Sequence, residues 1–176
     1  KSDPAGVGHY LDALVPVLED VTPAVRRNVT FAFGEVSKTD APRVTPYVEA
    51  LSPCLSDNND SVRTNVAFIF RRVAASAPAA VAGQLGTLAA QLTDTNATVR
   101  RNLTLAFAGV AEADPARVEP HLDDIEPRLS DTNERIRAAA AAVFRAVERS
   151  NDGPTGTRIY RPEMEAAETP EEPGVE

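Results

Sequence analysis

The chain has 176 residues, 43% of them apolar and 25% charged, and carries a net charge of −8. That length and composition suit one elongated domain, and no apolar run approaches the roughly 18 residues that a bilayer span needs. The single cysteine, Cys54, excludes an intrachain disulfide, and no segment reads as a signal peptide, so a cytoplasmic location away from membranes is the expectation.

Along the chain, Arg26, Arg63, Arg100 and Arg137 recur in the same setting at steps of 37 residues. The same register carries Leu18, Leu55, Leu92 and Leu129; Asp20, Asp57, Asp94 and Asp131; Phe33, Phe70, Phe107 and Phe144; and Val36, Val73, Val110 and Val147. A fixed period of this size marks a solenoid, in which a unit too small to bury its own apolar face stacks on its neighbours.

Each unit shows helical apolar spacing twice, as in Val48, Leu51, Leu55 and then Val62, Val66, Phe70, Val73, and no stretch alternates as a half-buried strand does. Each unit is therefore predicted to be a helical hairpin. First helices are placed over 7–19, 44–56, 81–92 and 118–130, and second helices over 23–38, 60–76, 97–113 and 134–150. Pro16, Pro53 and Pro127 fall inside first helices and are expected to bend them, whereas Ala90 leaves the third unit straighter. Thr22, Asn59, Asn96 and Asn133 suit the N-caps of the second helices, because their side-chain oxygens can accept free first-turn N–H groups. Pro23 suits the first helical position. The second helices are apolar nearly all round and belong to an inner layer. All six phenylalanines lie on them and are expected in core columns, where truncating one buried ring costs about 3–5 kcal/mol.

Paired helices of this length, with an Asp in the turn between them and an Arg six residues later, resemble HEAT repeats from Val7 to roughly Ser150. The resemblance implies an all-α fold, a right-handed α-solenoid (α-α superhelix) of four hairpins. It also implies a ladder of Asp20, Asp57, Asp94 and Asp131 with Arg26, Arg63, Arg100 and Arg137 that links successive repeats. Such pairs, if exposed, contribute only about 0–1 kcal/mol each. The prolines of the first helices stand about a turn nearer the Asp than in that family.

The organisation expected is a remnant of a preceding repeat over 1–8, repeats at 9–44, 45–81, 82–118 and 119–150, and an acidic, Pro-rich tail over 151–176. Lys1-Ser2-Asp3 aligns with Lys38-Thr39-Asp40, so the chain is expected to start inside a repeat of a longer array. Repeat four, with Glu134, Arg135, Arg145, Glu148 and Arg149 on its second helix and Ala142 where earlier units have Phe31, Phe68 and Leu105, reads as a C-terminal cap. The tail has the composition of a disordered segment, with one island, 157–162, able to dock in extended form.

Catalytic chemistry is not supported. His9 and His121 fall in different repeat columns, neither has ligands at metal-binding spacing, and both read as solvent-facing. Asp123 and Asp124 point about 100° apart on a helix. No phosphate loop and no activated nucleophile is present. No cofactor, no metal and no enzyme activity are expected.

Positions that vary between repeats are the better guide to binding. The columns Arg27, Thr64, Arg101, Ala138; Gly34, Arg71, Ala108, Arg145; and Glu35, Arg72, Gly109, Ala146 change from unit to unit. If the second helices line the concave side, as the resemblance implies, Arg27, Arg71, Arg72 and Arg101 form a basic, partner-binding patch. The function expected is a scaffold for another protein, or for further repeats of the same array, with nucleic-acid binding through the concave arginines as the alternative. Overall acidity and the assignment of every Phe to the core disfavour that alternative.

The charge is unevenly spread: the 26 residues from Asn151 hold seven acids and two arginines, a net −5, which leaves −3 for residues 1–150. Of 18 basic residues only Lys1 and Lys38 are lysine. This usage resembles proteins of salt-loving archaea, whose acidic surfaces stay hydrated in brine while their self-repulsion is screened. On that reading, dialysis to low salt lowers the melting temperature and the helical circular dichroism, and a signal that survives the dialysis unchanged contradicts it.

Overall fold

The structure, a computed structural model, describes residues 10–151. The expected remnant 1–8, His9 and the tail island at 157–162 lie outside these residues. Everything described is helix or short connection, with no strand among the described residues. Four long helices run through the array: α1 (Pro23–Thr39), α2 (Asp60–Ser76), α3 (Ala97–Ala113) and α4 (Glu134–Asn151). They pack in series, α1 on α2, α2 on α3 and α3 on α4, and make an α-solenoid.

The ends of these helices follow from local chemistry. Asn59 Oδ1 accepts from the backbone N–H groups of Ser61 and Val62, Asn96 Oδ1 from Thr98, and Asn133 Oδ1 from Arg135, so three of the four N-caps operate through the side chain. Thr22 does not cap α1 through its side chain; its backbone N–H donates to Asp20 Oδ1, and Pro23 supplies the helical φ at the start. At the C-termini the N–H groups of Asp40, Ala77 and Asp114 close the last turns on Val36, Val73 and Val110. Ala77 and Asp114 each precede a proline, which keeps them out of the α region.

The first helix of each hairpin is a correction to the continuous elements read from the sequence. In the second repeat it breaks into a 3₁₀ segment Ala41–Tyr47, one α turn Val48–Leu51 and a 3₁₀ segment Ser52–Ser56. The fourth repeat shows the same alternation over Pro115–Val118, Glu119–His121, Leu122–Ile125 and Glu126–Ser130. The cause is proline spacing: Pro42, Pro46 and Pro53 in one, and Pro115, Pro120 and Pro127 in the other, each remove an N–H and crowd the preceding turn. Pro16, Pro53 and Pro127 sit in the opening positions of 3₁₀ segments rather than at the bend of a longer α-helix. The third repeat lacks that last proline. Its first helix is nevertheless not the continuous one expected over 81–92: it breaks at Gly83 and Gln84 after Pro78–Ala82, and its α-helix Leu85–Ala90 ends at Ala90.

One continuous core runs through all four units. Phe33, Phe70 and Phe107 are fully buried and Phe144 nearly so. The seam crosses repeat boundaries: the Phe33 ring meets Tyr47 of the next repeat edge-on at 5.4 Å between centroids, and Phe107 meets His121 in the same way at 5.8 Å. His121 is therefore half-buried against an aromatic ring rather than solvent-facing. Gly109 lets α3 approach α2, since a Cβ there would lie 3.1 Å from the Ala74 carbonyl oxygen. Cys54 is buried and free, and burial first, then the charge of Asp57, pushes its thiol up from the ordinary range.

Two phenylalanines depart from the expected core columns. Phe31 is 55% exposed and Phe68 is half-buried. Residues two apart on a helix point about 200° apart, so a helix that buries Phe33 must turn Phe31 to its opposite face.

The arginine ladder and the second-helix groove

The two polar columns meet across repeats. Arg26 Nε and Nη2 donate to Asp57 Oδ2 and Oδ1 at 2.5 and 3.0 Å. Arg63 does the same to Asp94 at 2.6 and 3.3 Å, and Arg100 to Asp131 at 2.8 and 3.1 Å. Each bond pair runs from the arginine of one repeat to the aspartate of the next. The remaining Nη1 donates backward to the carbonyl of the aspartate in its own turn, Asp20, Asp57, Asp94 or Asp131, at 2.7 or 2.8 Å. Each carboxylate also accepts the backbone N–H two residues on, from Thr22, Asn59, Asn96 or Asn133. One planar guanidinium thus fixes two inter-helix turns at once, a task suited to its rigid fork of donors.

These pairs are not the exposed ones priced in the sequence reading. The Asp94 and Asp131 side chains are only 3% exposed and their arginines 12–13%. The Arg26 hydrogen bond holds the Asp57 carboxyl below the ordinary carboxylate range, and the Arg100 hydrogen bond does the same to Asp131. At the ends the ladder is open: Arg137 bonds only the Asp131 and Thr132 carbonyls among the described residues, and Asp20 receives the Thr22 N–H.

A second polar arrangement lies on the outer face of the long helices. Phe31, Phe68, Leu105 and Ala142 form one column at the repeat spacing, and two shallow cavities follow it. One, of about 280 Å³, lies among Phe31, Glu35, Lys38, Phe68, Arg101 and Asn102; the other, of about 430 Å³, lies among Arg71, Arg101, Leu105, Arg135 and Ala142. Arg101 borders both, so the two lie end to end as a groove along one face of the four long helices, with the Arg101 side chain between them. Lys38 Nζ lies 5.9 Å from the ring centres of Phe31 and Phe68, and the Arg71 guanidinium stands 5.3 Å over Phe68.

The four arginines proposed from sequence separate here. Arg71 and Arg101 converge on the groove, and neither has a carboxylate partner among the described residues. Burial, then the like charges of Arg101 and Arg72, holds the Arg71 guanidinium below its ordinary value. The Arg101 Nε is buried with no acceptor, and so is the Oδ1 of Asn102 without a donor. Arg72 turns the other way: it donates to the Ser37 and Lys38 carbonyls and closes the C-terminal end of α1. Arg27 is exposed, borders neither cavity and bonds its neighbour Asn28. Lys38 is neutralised by Glu35 at 2.5 Å. Phe31, Phe68, Leu105 and Arg135 were not selected from sequence, although Phe31 standing two residues from a core Phe was a readable sign of a second face. Among the described residues no group of three or more His, Cys, Asp and Glu is placed to hold a metal, and no helix is long and apolar enough to cross a membrane.

Stacked hairpins with a turn-to-turn ladder define an α-solenoid repeat protein. The family model Cnd1, described as non-SMC mitotic condensation complex subunit 1, matches residues 41–118 and again 76–163, and the chain belongs to that HEAT-repeat family. The second match starts about one repeat after the first, as a repeated unit requires. No curated protein matches the sequence. Among solved structures, an engineered protein is similar at 17% identity and a TM-score of 0.70, over 79% of this chain and 62% of its own. A computationally designed armadillo repeat protein for modular peptide recognition is 25% identical with a TM-score of 0.66, over 77% of this chain and 63% of its own. A designed armadillo repeat protein in complex with the peptide (KR)4 is 20% identical with a TM-score of 0.69, over 79% and 64%. The chain spans less than two thirds of each of these structures.

Asp131→Asn keeps the acceptor for the Asn133 N–H but removes the charge that Arg100 and Arg128 share. It should cost about 3 kcal/mol at neutral pH, the scale of a broken buried pair. Because the folded carboxyl is held low, its contribution is complete above the ordinary value of about 3.9 and is lost as pH falls through the folded value. The gap between denaturant melts of the two proteins should therefore start to narrow as pH falls below about 4 and close only below the folded carboxyl's lowered value, whereas a gap independent of pH contradicts the ladder's electrostatic role.

Proposed function

We propose that this chain is a non-catalytic protein-interaction scaffold whose second-helix groove takes an extended, acidic segment of a partner protein. The observation that carries the reading is the pair Arg71 and Arg101, two cations on one face that form no ion pair among the described residues, while Glu35, the carboxylate lining the same face, is held by Lys38. Guanidinium groups left in this state favour carboxylate ligands through charge-assisted hydrogen bonds. The column Phe31, Phe68, Leu105 and Ala142 supplies apolar contact at every repeat. The similar designed armadillo protein carries a (KR)4 peptide; the arginines here call for the opposite charge. The acidic, lysine-poor composition supports a high-salt cytoplasm, where screening shifts more of the affinity onto the apolar column.

One observation favours a second reading. Phe31 is exposed beside Phe68, Lys38 and Arg71, and aromatic rings among cations can stack nucleotide bases. The net acidity of the solenoid weighs against it. Two extended probe peptides, one alternating Glu and Leu and one alternating Lys and Leu, separate the cases together with a labelled single-stranded oligonucleotide. The Glu peptide should bind, and the double variant Arg71→Glu, Arg101→Glu should weaken it at least about tenfold, the scale of one lost charge-assisted bond. Binding that ignores the charge reversal contradicts the proposal, and a preference for the oligonucleotide with a steep salt dependence replaces it with the second reading.

A further inference from the structure

The groove described above is open among residues 10–151, and the same chain carries a segment of complementary charge. Residues 163–172, Glu-Met-Glu-Ala-Ala-Glu-Thr-Pro-Glu-Glu, hold five glutamates and no basic residue. Arg71 and Arg101 form no ion pair among the described residues, the Glu35 carboxylate at the same face being held by Lys38, and Arg135 borders the groove one helix further on. We propose that this segment of the chain's own tail occupies the second-helix groove in cis, with its glutamates on Arg71 and Arg101 and Met164 against the Phe31 and Phe68 rings. The inference rests on the groove being a binding site for acidic segments, and adds its resident occupant.

Chain length permits the contact. The helix α4 ends at Asn151, and the groove crosses it near Ala142, about 14 Å back along the axis at 1.5 Å per residue. Two helix spacings of about 8–10 Å separate α4 from Arg71 on α2. The 11 residues between Asn151 and Glu163 reach about 36–40 Å when extended, more than the direct path requires. Met164 brings a polarizable thioether of the kind that packs well on aromatic rings. The occupant is set by charge as well as reach: the stretch just before it carries Arg158 and Arg161, which the groove's arginines repel.

Tethering makes the segment a competitor for any acidic partner, since a short flexible link gives an effective concentration on the order of 1 mM. A fluorescent peptide with the sequence of residues 163–176 is the probe, titrated into two full-length proteins at the lowest salt that leaves the helical circular dichroism of both intact, so that screening is as weak as the fold allows. One is the chain itself; the other carries Glu163→Gln, Glu165→Gln, Glu168→Gln, Glu171→Gln and Glu172→Gln, changes that touch no described residue. For a probe of about 100 µM affinity, the five-Gln protein should bind roughly tenfold more tightly than the unaltered chain. The gain should vanish when Arg71→Glu and Arg101→Glu are added. Equal affinity for both proteins overturns cis occupancy while leaving the groove a binding site. A failure of the probe to bind even the five-Gln protein overturns the tail as its ligand, and the Glu-Leu peptide then reports separately on the groove. A gain that appears only at high chain concentration, with a dimer in sedimentation, assigns the segment to a second copy and overturns the cis form.

Discussion

A single helical pair of this length cannot cover its own apolar stripe, and that shortage of cover organises the rest of the molecule. Phe33, Phe70, Phe107 and Phe144 face inward at the same point of each repeat, and Phe33 and Phe107 are covered partly by the hairpin that follows. The Tyr47 and His121 rings show how the cover is supplied, since each reaches from the start of one repeat onto the phenylalanine of the repeat before. Burial of this kind is non-directional; it holds the hairpins together without fixing the angle at which they stack.

The ladder provides that direction. A bidentate guanidinium tolerates little rotation of its carboxylate, and its third donor ties it to its own turn, so the two turns keep a fixed relation. The seam and the ladder lie in different parts of each hairpin, one along the long helices and one at the turns, and together they constrain both distance and orientation. The consequence for function is geometric. Once stacking is fixed, the outer faces of α1 to α4 fall into register, and residues 37 apart in sequence, such as Phe31 and Phe68, become neighbours along a groove.

Much of this was legible in the sequence because repetition averages out local ambiguity. The long helices begin at Asn59, Asn96 and Asn133 and end within a residue or two of the predicted points, since caps and prolines mark both ends. The first helices were less legible. Apolar periodicity alone does not register that three prolines in one short segment convert it to alternating 3₁₀ and α turns. The candidate site was half legible: of the arginines in columns that vary between repeats, Arg71 and Arg101 reach the second-helix groove, whereas Arg72 packs back on the preceding helix. Phe31 and Phe68 are less legible because aromatic character by itself points to burial, whereas their phase on the helix opposes that of Phe33 and Phe70.

The central claim, that the core is one seam shared between repeats, is tested most directly by hydrogen exchange on Phe70→Ala in the full-length chain. The lost ring is worth about 3–5 kcal/mol. If the seam is shared, amides in α1 and α3, as well as α2, exchange on the order of a hundredfold faster or more. Acceleration confined to α2, with α1 and α3 protected as before, would show that each hairpin carries its own core and would contradict the account.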